Sequence, residues 1–171
     1  MNSTNTAQAR SIIEITNLTR KFGQQTVLDN VSIEVKAGQV FGIVGQNGAG
    51  KTTLIKHMLG QYIAEQGSVK MFGEDPVAQP KSVLAKIGYL SEEPDMPSWM
   101  TVKELLTYTA AFYPDWSKDY ADELVKTFAL DINKRVRDLS KGQKARVGLV
   151  LAQAHKPDLL LLDEPSSGLD P

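Results

Sequence analysis

Eight residues, Gly45-Gln46-Asn47-Gly48-Ala49-Gly50-Lys51-Thr52, stand between the β-branched run VFGIV and a helical stretch, and few backbone paths can accommodate them. They match G-x-x-x-x-G-K-[ST] at every fixed position. Glycines at this density let a loop wrap with its N–H groups turned inward, and the helix that follows adds the positive end of its dipole at the same place. Such a cradle suits a triphosphate, whose anionic oxygens would meet the amides of Gly45 to Gly50 and the Lys51 ammonium. The Thr52 hydroxyl is placed to ligate magnesium, and Thr53 offers one more donor. Strand, glycine loop and helix in that order predict an α/β core built on a parallel sheet.

Composition bounds what surrounds the loop. With 171 residues, 42% of them hydrophobic, the chain can bury its apolar surface in one compact α/β unit. A net charge of -1 provides no basic field, so nucleic acid is not an expected partner. The absence of cysteine excludes disulfides and thiolate metal sites, in keeping with a reducing cytosolic setting. The opening MNSTNTAQAR has no apolar stretch and reads as a flexible tail over residues 1–10. Any role at a membrane would need a second chain to span it, because no apolar run here approaches the roughly 18 residues required.

Along the chain, IIEITNL, VSIEV and VFGIV read as strands separated by the turn-formers of KFGQQ and KAGQ. Lys51 to Leu59 reads as a helix closed by Gly60, and Ser68–Phe72 and Ile87–Leu90 as two further strands. The sequence TVKE predicts a capping box, with Thr101 as N-cap, opening a helix that runs to about Tyr113. Another helix spans about Lys118 to Ala129, with Tyr120, Leu124 and Phe128 on one face and Ala121 and Val125 beside them. A third begins after Ser140 and carries Ala145 to Ala154 until Pro157 ends it. The run LLLL before Asp163 predicts a parallel strand buried on both faces.

That strand ends in Asp163 and Glu164. An acid at the tip of a buried strand beside a phosphate loop can hold the magnesium shell, which assigns Asp163 to the metal. Glu164, one residue beyond, is placed to polarise a water as general base.

The segment LSKGQ, Leu139 to Gln143, resembles the LSGGQ signature of ABC-type ATPases, with Lys141 in place of the first glycine of the pair. Ser140, Gly142 and Gln143 would open a helix and form an anion site in their own right. The resemblance implies a P-loop NTPase core with a parallel sheet, an N-terminal antiparallel β subdomain and an inserted α-helical subdomain at about residues 91–138, all within a single nucleotide-binding domain over residues 11–171. It implies ATP and Mg2+ as cofactors. It also implies a head-to-tail dimer, homodimer or pseudo-dimer, in which the signature of one subunit closes on the ATP held by the loop of the other. By the same resemblance Phe22 in RKFG matches the aromatic that stacks on adenine. Glu92 stands where the family has the glutamine of its magnesium-sensing loop, and Ser167 to Asp170 match the loop that crosses the dimer interface.

The family continues past the DE pair to a switch histidine, and neither His57 nor His155 lies downstream of Glu164. The sequence therefore reads as a C-terminally truncated ABC domain, with both histidines expected on helix surfaces or partly buried, and with open sheet edge and low stability expected of the isolated chain. The leading expectation is the ATP-hydrolysing subunit of an exporter-type ABC transporter, cytoplasmic and peripheral on the inner face of the membrane through a separate permease. The insert aromatics Trp99, Tyr108, Phe112, Tyr113 and Trp116 are candidates for that contact. A soluble ABC ATPase and a non-hydrolysing nucleotide-binding module are the alternatives.

Overall fold

The structure of the chain is a computed structural model that describes residues 10–164. These fall into two compact units that divide between Leu84 and Ala85.

The first unit is a three-stranded antiparallel sheet with a helix. Strands β1 (Ser11–Phe22) and β2 (Gln25–Lys36) form a hairpin whose turn contains Gly23 at φ 59°, and β3 (Gln66–Met71) pairs with the other edge of β1. Alternation decides which side is buried: Ile13 and Ile15 face the core while Glu14 between them and Thr16 after them do not. Helix α1 (Lys51–Met58) packs on β2 and β3, contributing Leu54, Ile55 and Met58 to a core with Leu18, Leu28, Val35, Val69 and Met71. Gly60 follows at φ 69°, where a Cβ would lie 2.4 Å from the carbonyl oxygen of Pro76, so that helix end requires glycine twice over. A short helix, α2 (Pro80–Leu84), buries Val83.

One predicted strand is absent. Residues 40–44, VFGIV, are irregular and open, with Val40 and Val44 about as exposed as in an extended chain. A strand has no hydrogen bonds of its own to hold it and exists only in a ladder; among the described residues no strand pairs with this run.

The second unit pairs β4 (Ile87–Leu90) with β5 (Leu159–Leu162) in parallel, Leu90 opposite Leu162. Helix α5 (Lys141–Gln153) packs on β4, and helices α3 (Val102–Ala110) and α4 (Lys118–Thr127) pack on α5, with a 3-10 turn at Val136–Asp138. Helix α5 runs antiparallel to β4, as Gly88 lies under Ala152 and Leu90 under Gly148. The approach is close: a Cβ on Gly88 would lie 2.0 Å from the Ala152 carbonyl oxygen. Val102, Leu105, Val136, Leu139 and Val147 join α3 to α5, and Ala121, Leu124, Val150 and Ala154 join α4 to it, with Tyr120, Val125 and Phe128 packed alongside as their spacing predicted.

Two expectations about burial change. Strand β5 is not buried on both faces: Leu161 is inside, while Leu160 and Leu162, on the other face, are exposed, since α5 packs over β4 rather than over β5. The histidines, expected on helix surfaces or partly buried, are both fully buried. His57 lies beneath Tyr62 at a ring separation of 5.6 Å, and His155 stacks on Tyr113 at 4.1 Å with Nε2 3.2 Å from the Ile87 carbonyl oxygen.

Candidate nucleotide site

Gly45 to Gly50 form an irregular loop into α1, tightened by a bond from the Ala49 N–H to the Gln46 carbonyl. Gly48 and Gly50 adopt φ of 82° and 91°, the left-handed region that side chains disfavour. Gly50 is also pressed against β2, where a Cβ would meet the Val27 carbonyl oxygen at 2.8 Å. As N-cap of α1 it supplies no side-chain acceptor, and the first helical bond runs from Leu54 N–H to Gly50 carbonyl. The amides of Lys51, Thr52 and Thr53 thus open the helix without a capping side chain, and no acid in the first turn repels an anion. Lys51 Nζ donates to the carbonyls of Gly45 at 2.8 Å and Gln46 at 3.2 Å, which holds the ammonium at the mouth of the loop. Asn47 is exposed on the same loop. This donor set fits the phosphates of a nucleotide: amides, a helix N-terminus and one ammonium, with backbone space that only glycine leaves.

Phe22 ends β1 with its ring 42% exposed. The Arg20 guanidinium lies over that ring and over Tyr62, and the two rings meet edge to face at 5.9 Å. Sequence reasoning passed over both supports, although alternation along β1 puts Arg20 and Phe22 on one face. Behind them, burial and then the Arg20 charge hold His57 below the ordinary histidine pKa.

In the second unit, parallel pairing brings the carboxyl ends of β4 and β5 to one edge. The Asp163 N–H donates to the Leu90 carbonyl at 2.9 Å, so Asp163 and Glu164 leave β5 where the chain leaves β4 toward Glu92. The Asp163 side chain is buried and Glu92 is exposed. Burial, and next the Asp163 charge, raise the Tyr89 hydroxyl pKa. Glu164 sits at φ 52°, a left-handed conformation that turns the chain sharply at the strand tip.

Ser140 is the N-cap of α5 in a reciprocal box: the Gln143 N–H donates to Ser140 Oγ at 3.2 Å, and the Ser140 N–H to Gln143 Oε1 at 3.1 Å. Lys134 Nζ also donates to Gln143 Oε1, at 3.2 Å, a support the sequence did not disclose because it arrives from a loop. Lys141 is exposed and Gly142 half-buried at the start of the same helix. Asp170, with Ser167 to Leu169, lies outside the described residues. No group of three or more His, Cys, Asp or Glu side chains suited to a metal occurs among the described residues.

The sequence profile described as ABC transporter matches residues 28–167. The chain belongs to that family. It is 38% identical over 163 residues to the bacitracin transport ATP-binding protein BcrA of Bacillus licheniformis, covering 94% of this chain and 53% of that one. It is 36% identical over 162 residues to the protein of the same name from Enterococcus faecalis, again over 94% and 53% of the two chains. The chain thus spans about half the length of the curated relatives it matches. Among solved structures, an ATP binding subunit of an ABC transporter superposes with a TM-score of 0.84 at 30% identity, covering 94% of this chain and 69% of that one. A putative ABC transporter ATP-binding protein from Pyrococcus furiosus gives 0.77 at 27% identity, over 92% and 78%.

Proposed function

We propose that this chain is the ATP-binding and ATP-hydrolysing part of an exporter-type ABC transporter, acting as a single nucleotide-binding domain that drives a separate membrane permease. The observation that carries the proposal is the start of α1: an acceptor-free N-cap at Gly50, two left-handed glycines, and Lys51 held at the mouth of the loop. Triphosphate binds there, and Phe22 stacks on the base. Thr52 and Asp163 are the proposed magnesium ligands, the ion supplying charge neutralisation of the phosphates when bound. Glu164 accepts a proton from the water that attacks the γ-phosphate, and Glu92 follows β4 as the element that couples the site to the permease.

The signature opens α5, and Ser140 with the Gly142 and Gln143 amides is proposed to complete the site of a second subunit, with Asp170 at the same interface. This supports a dimer, homodimer or pseudo-dimer, closed by ATP and reopened by hydrolysis. No helix among the described residues is long and apolar enough to cross a membrane. In the proposed reading a separate permease spans it, with this chain on the cytoplasmic side. Trp99, Tyr108 and Phe112 are exposed and remain candidates for that contact, whereas Tyr113 stacks on His155 and Trp116 packs against the α4–α5 core. The two BcrA relatives are described as bacitracin transport ATP-binding proteins, which supports a role in transport.

The test is turnover and binding together. Lys51→Ala should abolish ATP binding, while Glu164→Gln should keep binding and slow phosphate release by at least about a hundredfold. Turnover unchanged in Glu164→Gln would remove it as the base. Failure of a membrane protein to co-purify with the protein from its native cells would count against the permease.

A further inference from the structure

We infer that Arg20 is a positioning residue for the base: it fixes the Phe22 ring in one orientation and, with Tyr62, forms the back of the stacking platform. This rests on the reading of Phe22 as the ring that meets the nucleobase. The guanidinium carbon lies 4.7 Å from the Phe22 centroid and 4.9 Å from the Tyr62 centroid, within range for both rings at once. Its head is held by Glu65, with Nη1 2.9 Å from Oε1. Its Nε is buried without a hydrogen-bond partner, so on that side the group is invested in the rings rather than in polar contacts. The Arg20 side chain is only 16% exposed while Phe22 keeps 42% of its surface open.

A phenylalanine at the end of a strand has several staggered rotamers, and stacking on a base selects one of them. Arg20 lies over the ring and Tyr62 meets it edge to face, so a ligand would stack on the part of Phe22 that stays exposed. A cation over the ring also draws on its π density, favouring a neutral, electron-rich purine over a cationic ligand. Pre-setting the ring removes an ordering cost that binding would otherwise bear.

The experiment compares ATP with inorganic triphosphate, which has phosphates but no base, by calorimetry on the full chain and its variants. Arg20→Met should weaken ATP about three- to tenfold and leave triphosphate within twofold, and Arg20→Lys should recover most of the loss. Phe22→Ala should weaken ATP by at least as much as Arg20→Met. Normal ATP affinity in Arg20→Met, alongside a loss in Phe22→Ala, overturns the role of Arg20 alone. Normal ATP affinity in Phe22→Ala overturns the base-stacking reading itself. Equal losses of ATP and triphosphate in Arg20→Met would mark a merely structural residue and overturn the inference. If Arg20→Met does not fold, Glu65→Ala at an exposed position unpins the guanidinium: a two- to threefold loss confined to ATP supports the inference, and unchanged ATP affinity overturns it.

Discussion

At the residue scale, the two histidines give the fold a dependence on acid. His57 has both ring nitrogens buried without a hydrogen-bond partner and lies near Arg20; burial is the larger cause and the Arg20 charge the next of a pKa below the usual 6.5. For His155, burial again lowers the value. A group kept neutral in the fold takes up protons more readily when unfolded, so both contribute stability that is complete above about pH 6.5 and is lost as pH falls from there toward the depressed values. Urea midpoints measured between pH 8 and 5 should therefore decline on the acid side, and His57→Phe should flatten part of that decline. A midpoint independent of pH over this range would show that neither ring is held neutral. Nothing in the chain's composition pointed to this, because burial of a lone histidine in a helix is decided by what packs over it, here Tyr62 and Tyr113.

At the scale of elements, caps and close contacts set the tolerances. Thr101→Ala removes the acceptor that Glu104 N–H uses in the capping box of α3 and should cost about 1 kcal/mol in urea unfolding. Gly88→Ala should be far worse, about 3 kcal/mol or loss of folding, since its Cβ would drive β4 from the backbone of α5. Gly148→Ala meets side chains rather than backbone, the movable Leu90 Cδ1 nearest at 2.5 Å, and should cost nearer 1 kcal/mol. The caps at Thr101 and Ser140, the face of Tyr120, Leu124 and Phe128, and strand β4 could all be read from the sequence, because each is encoded within one turn or one alternation. The run at 40–44 could not: its β-branched residues state a preference, but whether they form a strand depends on a partner edge that local sequence does not contain. Arg20 and Lys134 escaped notice for a related reason, since each acts on a motif residue through a contact that no motif records.

At the scale of the molecule, the two compact units carry different parts of the proposed chemistry. The phosphate loop and Phe22 lie in the first, the acidic pair and the signature in the second. Ligand at a hundred times its dissociation constant should stabilise the chain by about 2.7 kcal/mol. Hydrogen exchange at that concentration should show the protection concentrated at the start of α1 and the end of β1, and Lys51→Ala should abolish it. Uniform protection of both units by ATP in a monomeric sample would argue against this division of labour.

The box at Ser140 has a consequence for how α5 can be used. Its hydroxyl oxygen is engaged as an acceptor by the Gln143 N–H, and that occupies a lone pair while leaving the hydroxyl hydrogen unassigned. One atom can thus terminate the helix and still donate outward. A ligand arriving there would break no bond that defines the helix start, so engagement and release at this end are decoupled from fraying: the contact can cycle many times on a helix whose first turn never has to reform.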